Sequence, residues 1–132
     1  MNTYAVKRTI IGRLDNGADL YEGITRIAQE NSIRVGRVTG MGSVHRARLA
    51  YYDQKTMKYS DIEINQPMEI VSMYGNVSLK DGQPFAHLHV VLADDQGNGK
   101  GGHFFFPSGT LRHCYKHHEV ISIESAVLSI LS

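Results

Sequence analysis

A single cysteine, Cys114, means that no disulfide can form within this chain of 132 residues. A length of this order is enough for one hydrophobic core and one compact domain, taken as residues 1–132. An excess of charge is also missing. Fourteen Lys and Arg face thirteen Asp and Glu, for a formal charge of +1. That balance argues against a strongly electrostatic nucleic-acid binder, which carries a basic surplus, although a local basic surface is compatible with it. No apolar run approaches the roughly 20 residues of a membrane-crossing helix. The opening MNTYAVKRTIIGRL lacks the apolar centre of a signal peptide. There is no internal repeat, low-complexity tract or linker. These absences predict a soluble, cytoplasmic, one-domain protein with no membrane partner.

The pattern that is present is mostly β. Thr3 to Leu14 alternates and reads as a strand, broken by Asp15, Asn16 and Gly17. Residues 18–31 change period: Leu20, Ile24, Ile27 and Ala28 recur at helical spacing and form one amphipathic face. Asp15 or Asn16 suits its start, and Asp19 and Glu22 suit its positive end. After Ser32, short strands are predicted at Arg34–Thr39, Val44–Asp53, Lys58–Asn65, Met68–Leu79, Phe85–Ala93, Gly101–Phe106 and Val120–Ile130. GMGS (40–43) and QKTM (54–57) read as turns between them. One main helix with about seven or eight strands implies an α+β domain built largely on an antiparallel sheet.

The stretch HLHVVLADDQGNGKGGHFFF, residues 87–106, carries the chemistry. Upstream, Asp81-Gly82 between two apolar strands is a strong two-residue hairpin signal. Counting outward from that loop pairs Lys80 with Gln83, Asn76 with His87, and Tyr74 with His89. Opposed residues share a face, although Pro84 cannot donate a ladder hydrogen bond. The polar, glycine-rich Asp94–Lys100 segment marks a second reversal centred on residue 96, which sets His103 beside His89. His87, His89 and His103 then converge as three imidazoles on one patch. Zinc in catalytic sites commonly takes three protein ligands and keeps a fourth position open. Imidazole also suits iron, nickel and copper, so another divalent transition metal fits the same set. The bland alternative is three hydrogen-bonded or surface histidines.

EIVSMYGNVS (69–78), DGQPFAHLHVVLAD (81–94) and GGHF (101–104) resemble the plant-and-prokaryote-conserved (PPC) domain. RLDNGADLYEGI (13–24) and GMGSV (40–44) match its opening elements. The resemblance implies a compact α/β domain that associates as a homotrimer. Plant members carry this domain beside AT-hooks in nuclear proteins, and prokaryotic members are often called DNA-binding. The fold also looks like that of acetolactate decarboxylase, whose zinc is held by an H-x-H pair and a later histidine. The corresponding positions here are His87, His89 and His103. The chain has no RGRP AT-hook, and TLRHCYKHH (110–118) replaces a stretch that is usually apolar in the family.

Other residues weigh less. His113, Cys114, His117 and His118 are ligand types, but their segment reads as strand or loop, so a solvated basic loop or subunit contact is favoured. Glu69 is a tempting base, yet the hairpin register puts it on the face opposite Tyr74, Asn76 and the histidines. Tyr74 and Asn76 are better placed to orient a substrate, with Ser72 and Ser78 further along. Arg13, Arg37 and Arg112 suit an anionic substrate, but sequence alone does not place them. Two function classes follow. One is a metal-dependent enzyme, a lyase or hydrolase, or a binding protein for a small oxygen-rich molecule. The other is a trimeric DNA-associated module. The histidine trio and the near-neutral charge favour the first.

Overall fold

In the computed structural model, which describes residues 4–15, 17–104 and 120–128, the opening alternation forms β1 (Tyr4–Gly12) and leads into α1 (Leu20–Glu30). The helix begins one turn later than Asp15 or Asn16 would set it. Asp19 is the N-cap, and its carboxylate accepts a hydrogen bond from the Glu22 backbone N–H at 2.9 Å. That bond satisfies one of the amide donors that a helix start leaves without a partner. Leu20, Tyr21, Ile24 and Ala28 are buried along one stripe of α1.

Seven more strands follow: β2 (Gly36–Val44), β3 (Ala47–Asp53), β4 (Lys58–Ile64), β5 (Met68–Lys80), β6 (Gln83–Ala93), β7 (Gly99–Phe104) and β8 (Val120–Leu128). All eight lie in one sheet, in the order β1-β8-β2-β5-β6-β7-β3-β4, and every pairing is antiparallel. This is the α+β architecture with one main helix that the periodicities predict. The buried side chains of α1 share one core with Val38, Leu49, Met73, Val77, Leu88, Val90 and Phe104. The intervening residues Tyr74, Asn76, His87, His89 and Val91 are exposed on the opposite face. Period-two alternation thus separates core from site along the same strands. No described helix is long and apolar enough to cross a membrane.

Two departures from simple alternation matter. GMGS does not reverse the chain: it lies inside β2, which is paired on both sides, and a bulge between Gly40 and Gly42 absorbs the extra residue. The break comes instead at His45 and Arg46, between β2 and β3. A second bulge falls in β5, where the register with β6 shifts between Ile70 and Ser72. An inserted residue changes which face each neighbour occupies. Ile70 and Met73 are therefore both buried while Val71 and Ser72 are both exposed.

Candidate functional site

Asp81 and Gly82 both have positive φ, 52° and 76°, as the primed two-residue hairpin turn requires. The resulting register is the one counted from sequence: Lys80 opposite Gln83, Asn76 opposite His87, Tyr74 opposite His89. Pro84 stays in the ladder opposite Leu79. Gly75 lets β5 and β6 approach closely, because a Cβ there would stand 2.1 Å from the His87 carbonyl oxygen. The next reversal is held by Asp94. Its carboxylate accepts hydrogen bonds from the backbone N–H groups of Gln96 (3.0 Å) and Asn98 (2.8 Å) and from the Asn98 side-chain amide (3.1 Å). The Asn98 side-chain bond, then the Asn98 backbone bond, keeps the Asp94 carboxyl below its usual range. The turn delivers His103 opposite His89.

The three imidazoles therefore meet. Ring centroids are 4.6 Å apart for His87 and His103, and 5.2 Å for each of the other two pairs. Nε2 of His87 lies 3.2 Å from Nε2 of His89, and one ring nitrogen from each residue falls within 4.8 Å of the others. Tetrahedral zinc with nitrogen at about 2.0–2.1 Å needs ligand nitrogens about 3.4 Å apart. The His87–His89 pair is close to that spacing, and all three nitrogens lie within 4.8 Å of one another. His87 and His89 are exposed and His103 is partly buried. Burial first, then the proximity of His87 and His89, lowers the His103 pKa below its ordinary value. The neutral imidazole, the form that ligates, is thereby favoured. In donor type, number and spacing the trio fits a divalent transition metal. It is also the one cluster of three or more His, Cys, Asp or Glu ligands among the described residues.

The surroundings are polar and aromatic. Arg37, Tyr74, Gly75, Asn76, His87 and His89 line an open depression of about 260 Å³. On the other flank, the Tyr59 ring lies 5.8 Å from that of His103 and 4.9 Å from that of Tyr52. An Arg48–Asp61 ion pair joins β3 and β4 nearby in register: Asp61 stands opposite Ala50, and Ala50 opposite His103. A larger cavity, about 400 Å³, lies by α1 and the β5–β6 turn, with Tyr21, Arg26, Lys80 and Phe85 among its walls. It contains none of the trio.

Tyr74 and Asn76 stand where the sequence count puts them. Glu69 does not. The β5 bulge returns it to the exposed face, opposite Ala93, but four residues along β6 from His89, or about 13 Å. Of the three arginines, Arg37 reaches the site; Arg13 follows β1, outside the depression. Arg112, His113, Cys114, His117, His118, Phe105 and Phe106 lie outside the described residues. Tyr59, Asp61 and Arg48 were not legible as neighbours, because the β7–β3 pairing joins distant segments without a short turn between them.

Residues 1–124 match the Plants and Prokaryotes Conserved (PCC) domain. Among solved structures, the chain is similar to a metal-containing protein from Archaeoglobus fulgidus, with 33% identity and a TM-score of 0.85 over 97% of this chain and 86% of that one. A plant- and prokaryote-conserved protein from Pyrococcus horikoshii shows 27% identity and a TM-score of 0.85, over 96% of this chain and 84% of that one. A candidate DNA-binding protein from Bacteroides thetaiotaomicron shares the fold at 23% identity and a TM-score of 0.79, over 94% of this chain and 85% of that one. The bifunctional protein GlmU of Synechococcus sp. (strain JA-3-3Ab) is 34% identical over 92 residues, which are 69% of this chain but only 14% of that much longer protein.

Proposed function

We propose that this chain, a member of the Plants and Prokaryotes Conserved (PCC) domain family, holds a divalent transition metal on His87, His89 and His103 and uses it to bind a small oxygen-rich molecule. Zinc is the first candidate. The observation that carries this reading is the convergence of three ring nitrogens within 4.8 Å on rigid strands, beside an open depression. The Archaeoglobus fulgidus relative, itself described as metal-containing, supports it. When bound, such an ion acts as a Lewis acid on an oxygen of its ligand, the chemistry shared by lyases and hydrolases of this kind. The residues around it would supply orientation: Tyr74 and Asn76 hold the ligand against the trio, and Tyr59 walls the His103 side. A homotrimer in the cytoplasm is part of the same reading.

The test is elemental analysis of the purified protein. About one metal ion per chain is expected, and His89→Ala should lose it. Full retention in that variant, or a native protein with no measurable zinc affinity, would sink the site. The second reading, a DNA-associated trimer, draws on the name of the Bacteroides relative. It requires duplex binding that weakens steeply with salt, and failure to bind at low salt removes it.

A further inference from the structure

His103 stands on β7 between β6, which carries the other two histidines of the trio, and β3, which carries none. Beyond β3 lies β4, the last strand in the order. One row of register partners runs His89, His103, Ala50 and Asp61 across these four strands. Tyr52 and Tyr59 are register partners two residues from Ala50 and from Asp61. A period of two puts them on the histidines' face.

The backbones of β4 and β7 are two strand intervals, about 10 Å, apart. The Tyr59 and His103 rings nevertheless lie 5.8 Å apart at their centroids, with planes tilted by 48°. The tyrosine therefore leans across β3. Ala50, between the two strands and 1% exposed, offers only a methyl group where a longer side chain would stand in the way. Gly102 lets β7 come close to β3, because a Cβ there would stand 3.0 Å from the Ala50 carbonyl oxygen. The Tyr52 ring backs that of Tyr59 at 4.9 Å. Both spacings fall in the range of about 4.5–7 Å at which aromatic rings attract.

A histidine meets a metal along the lone pair of one ring nitrogen, so the angle of its ring decides whether it ligates. His87 and His89 are exposed, whereas His103 is partly buried with Tyr59 against it. A ring already held at its angle has less freedom to lose when an ion arrives. We infer that Tyr59 is a positioning residue of the histidine site: its ring fixes the His103 imidazole for the ion, and the ion in return fastens the β3–β4 hairpin to β7. The inference rests on the three histidines being a metal site. The hairpin holds none of the trio, yet it belongs to the site by linkage. What its docking adds to metal affinity, metal binding adds to its docking, by the same factor.

Zinc affinity by chelator competition, visible spectra of the cobalt-loaded protein and amide hydrogen exchange test this together. Tyr59→Ala should weaken zinc binding by about ten-fold and alter the cobalt bands, which report ligand geometry. Tyr59→Phe, which keeps the ring, should recover most of the affinity and the wild-type bands. Tyr51→Ala, exposed on the other side of the same hairpin, should bind zinc as wild type does. In wild type, zinc should slow amide exchange in β4 by up to the same ten-fold. That measurement needs no variant and decides the matter if Tyr59→Ala fails to fold. Unchanged affinity and cobalt bands in Tyr59→Ala, equal damage from Tyr59→Phe or Tyr51→Ala, or zinc protection of β6 and β7 without β4 would each overturn the inference while the metal site stands. A wild type that takes up no zinc removes the metal reading and this inference together.

Discussion

At the scale of single residues, His103 is the informative member of the trio, because it alone is both a candidate ligand and partly buried. Its pKa lies below the ordinary histidine value, chiefly through burial. The unfolded chain therefore takes up a proton on this residue at a higher pH than the folded one. Above about pH 6.5 both states are neutral and nothing is lost; as pH falls below that value the unfolded state gains, until the folded histidine also protonates. Metal-free protein should accordingly show a melting temperature that declines from pH 7 to pH 5. The decline should be shallower in His103→Gln. An equal slope in both proteins would assign the effect to other groups. The histidines were legible because their spacing and two turn signals are local. Tyr59 was not, since nothing near it in sequence says that its ring will lie against residue 103.

At the scale of elements, the β5–β6 hairpin shows what turn chemistry fixes and what it leaves out. Asp81-Gly82 set the register of Tyr74 and Asn76 against the histidines, and the count from sequence arrived at the same pairs. The count failed beyond Ser72, because a bulge has no composition of its own and Val71 reads as an ordinary strand residue. Glu69 changed face for that reason. Two glycines in this hairpin should behave differently on replacement. Gly82 has φ +76° and open space around it, so Gly82→Ala should cost only the backbone penalty, about 1–2 kcal/mol, with zinc affinity unchanged. A Cβ at Gly75 meets the His87 carbonyl oxygen and the Leu88 backbone. Gly75→Ala should cost about 1–3 kcal/mol by forcing the strands apart and should also weaken zinc binding. Urea melts with zinc titrations separate the two outcomes.

At the scale of the molecule, α1 packs against one face of the sheet, and apolar side chains remain on the surface. Met41 is 60% exposed, Val71 64%, Tyr74 57% and Val91 42%. Self-association is the economical way to cover such residues, which agrees with the proposed homotrimer. Light scattering should return three times the 14.7 kDa chain mass, and a monomer at micromolar concentration would refute it. The strand order itself was not legible. Periodicity reported that a last strand exists, but its neighbours depend on pairings that local signals do not encode. That strand, β8, lies between β1 and β2, which are joined to each other by α1. Order in space and order of synthesis therefore run apart. As the chain emerges from a ribosome, residues 87–103 are complete while the gap between its first two strands still lacks its occupant. The histidines come into existence before the sheet that will hold them is whole.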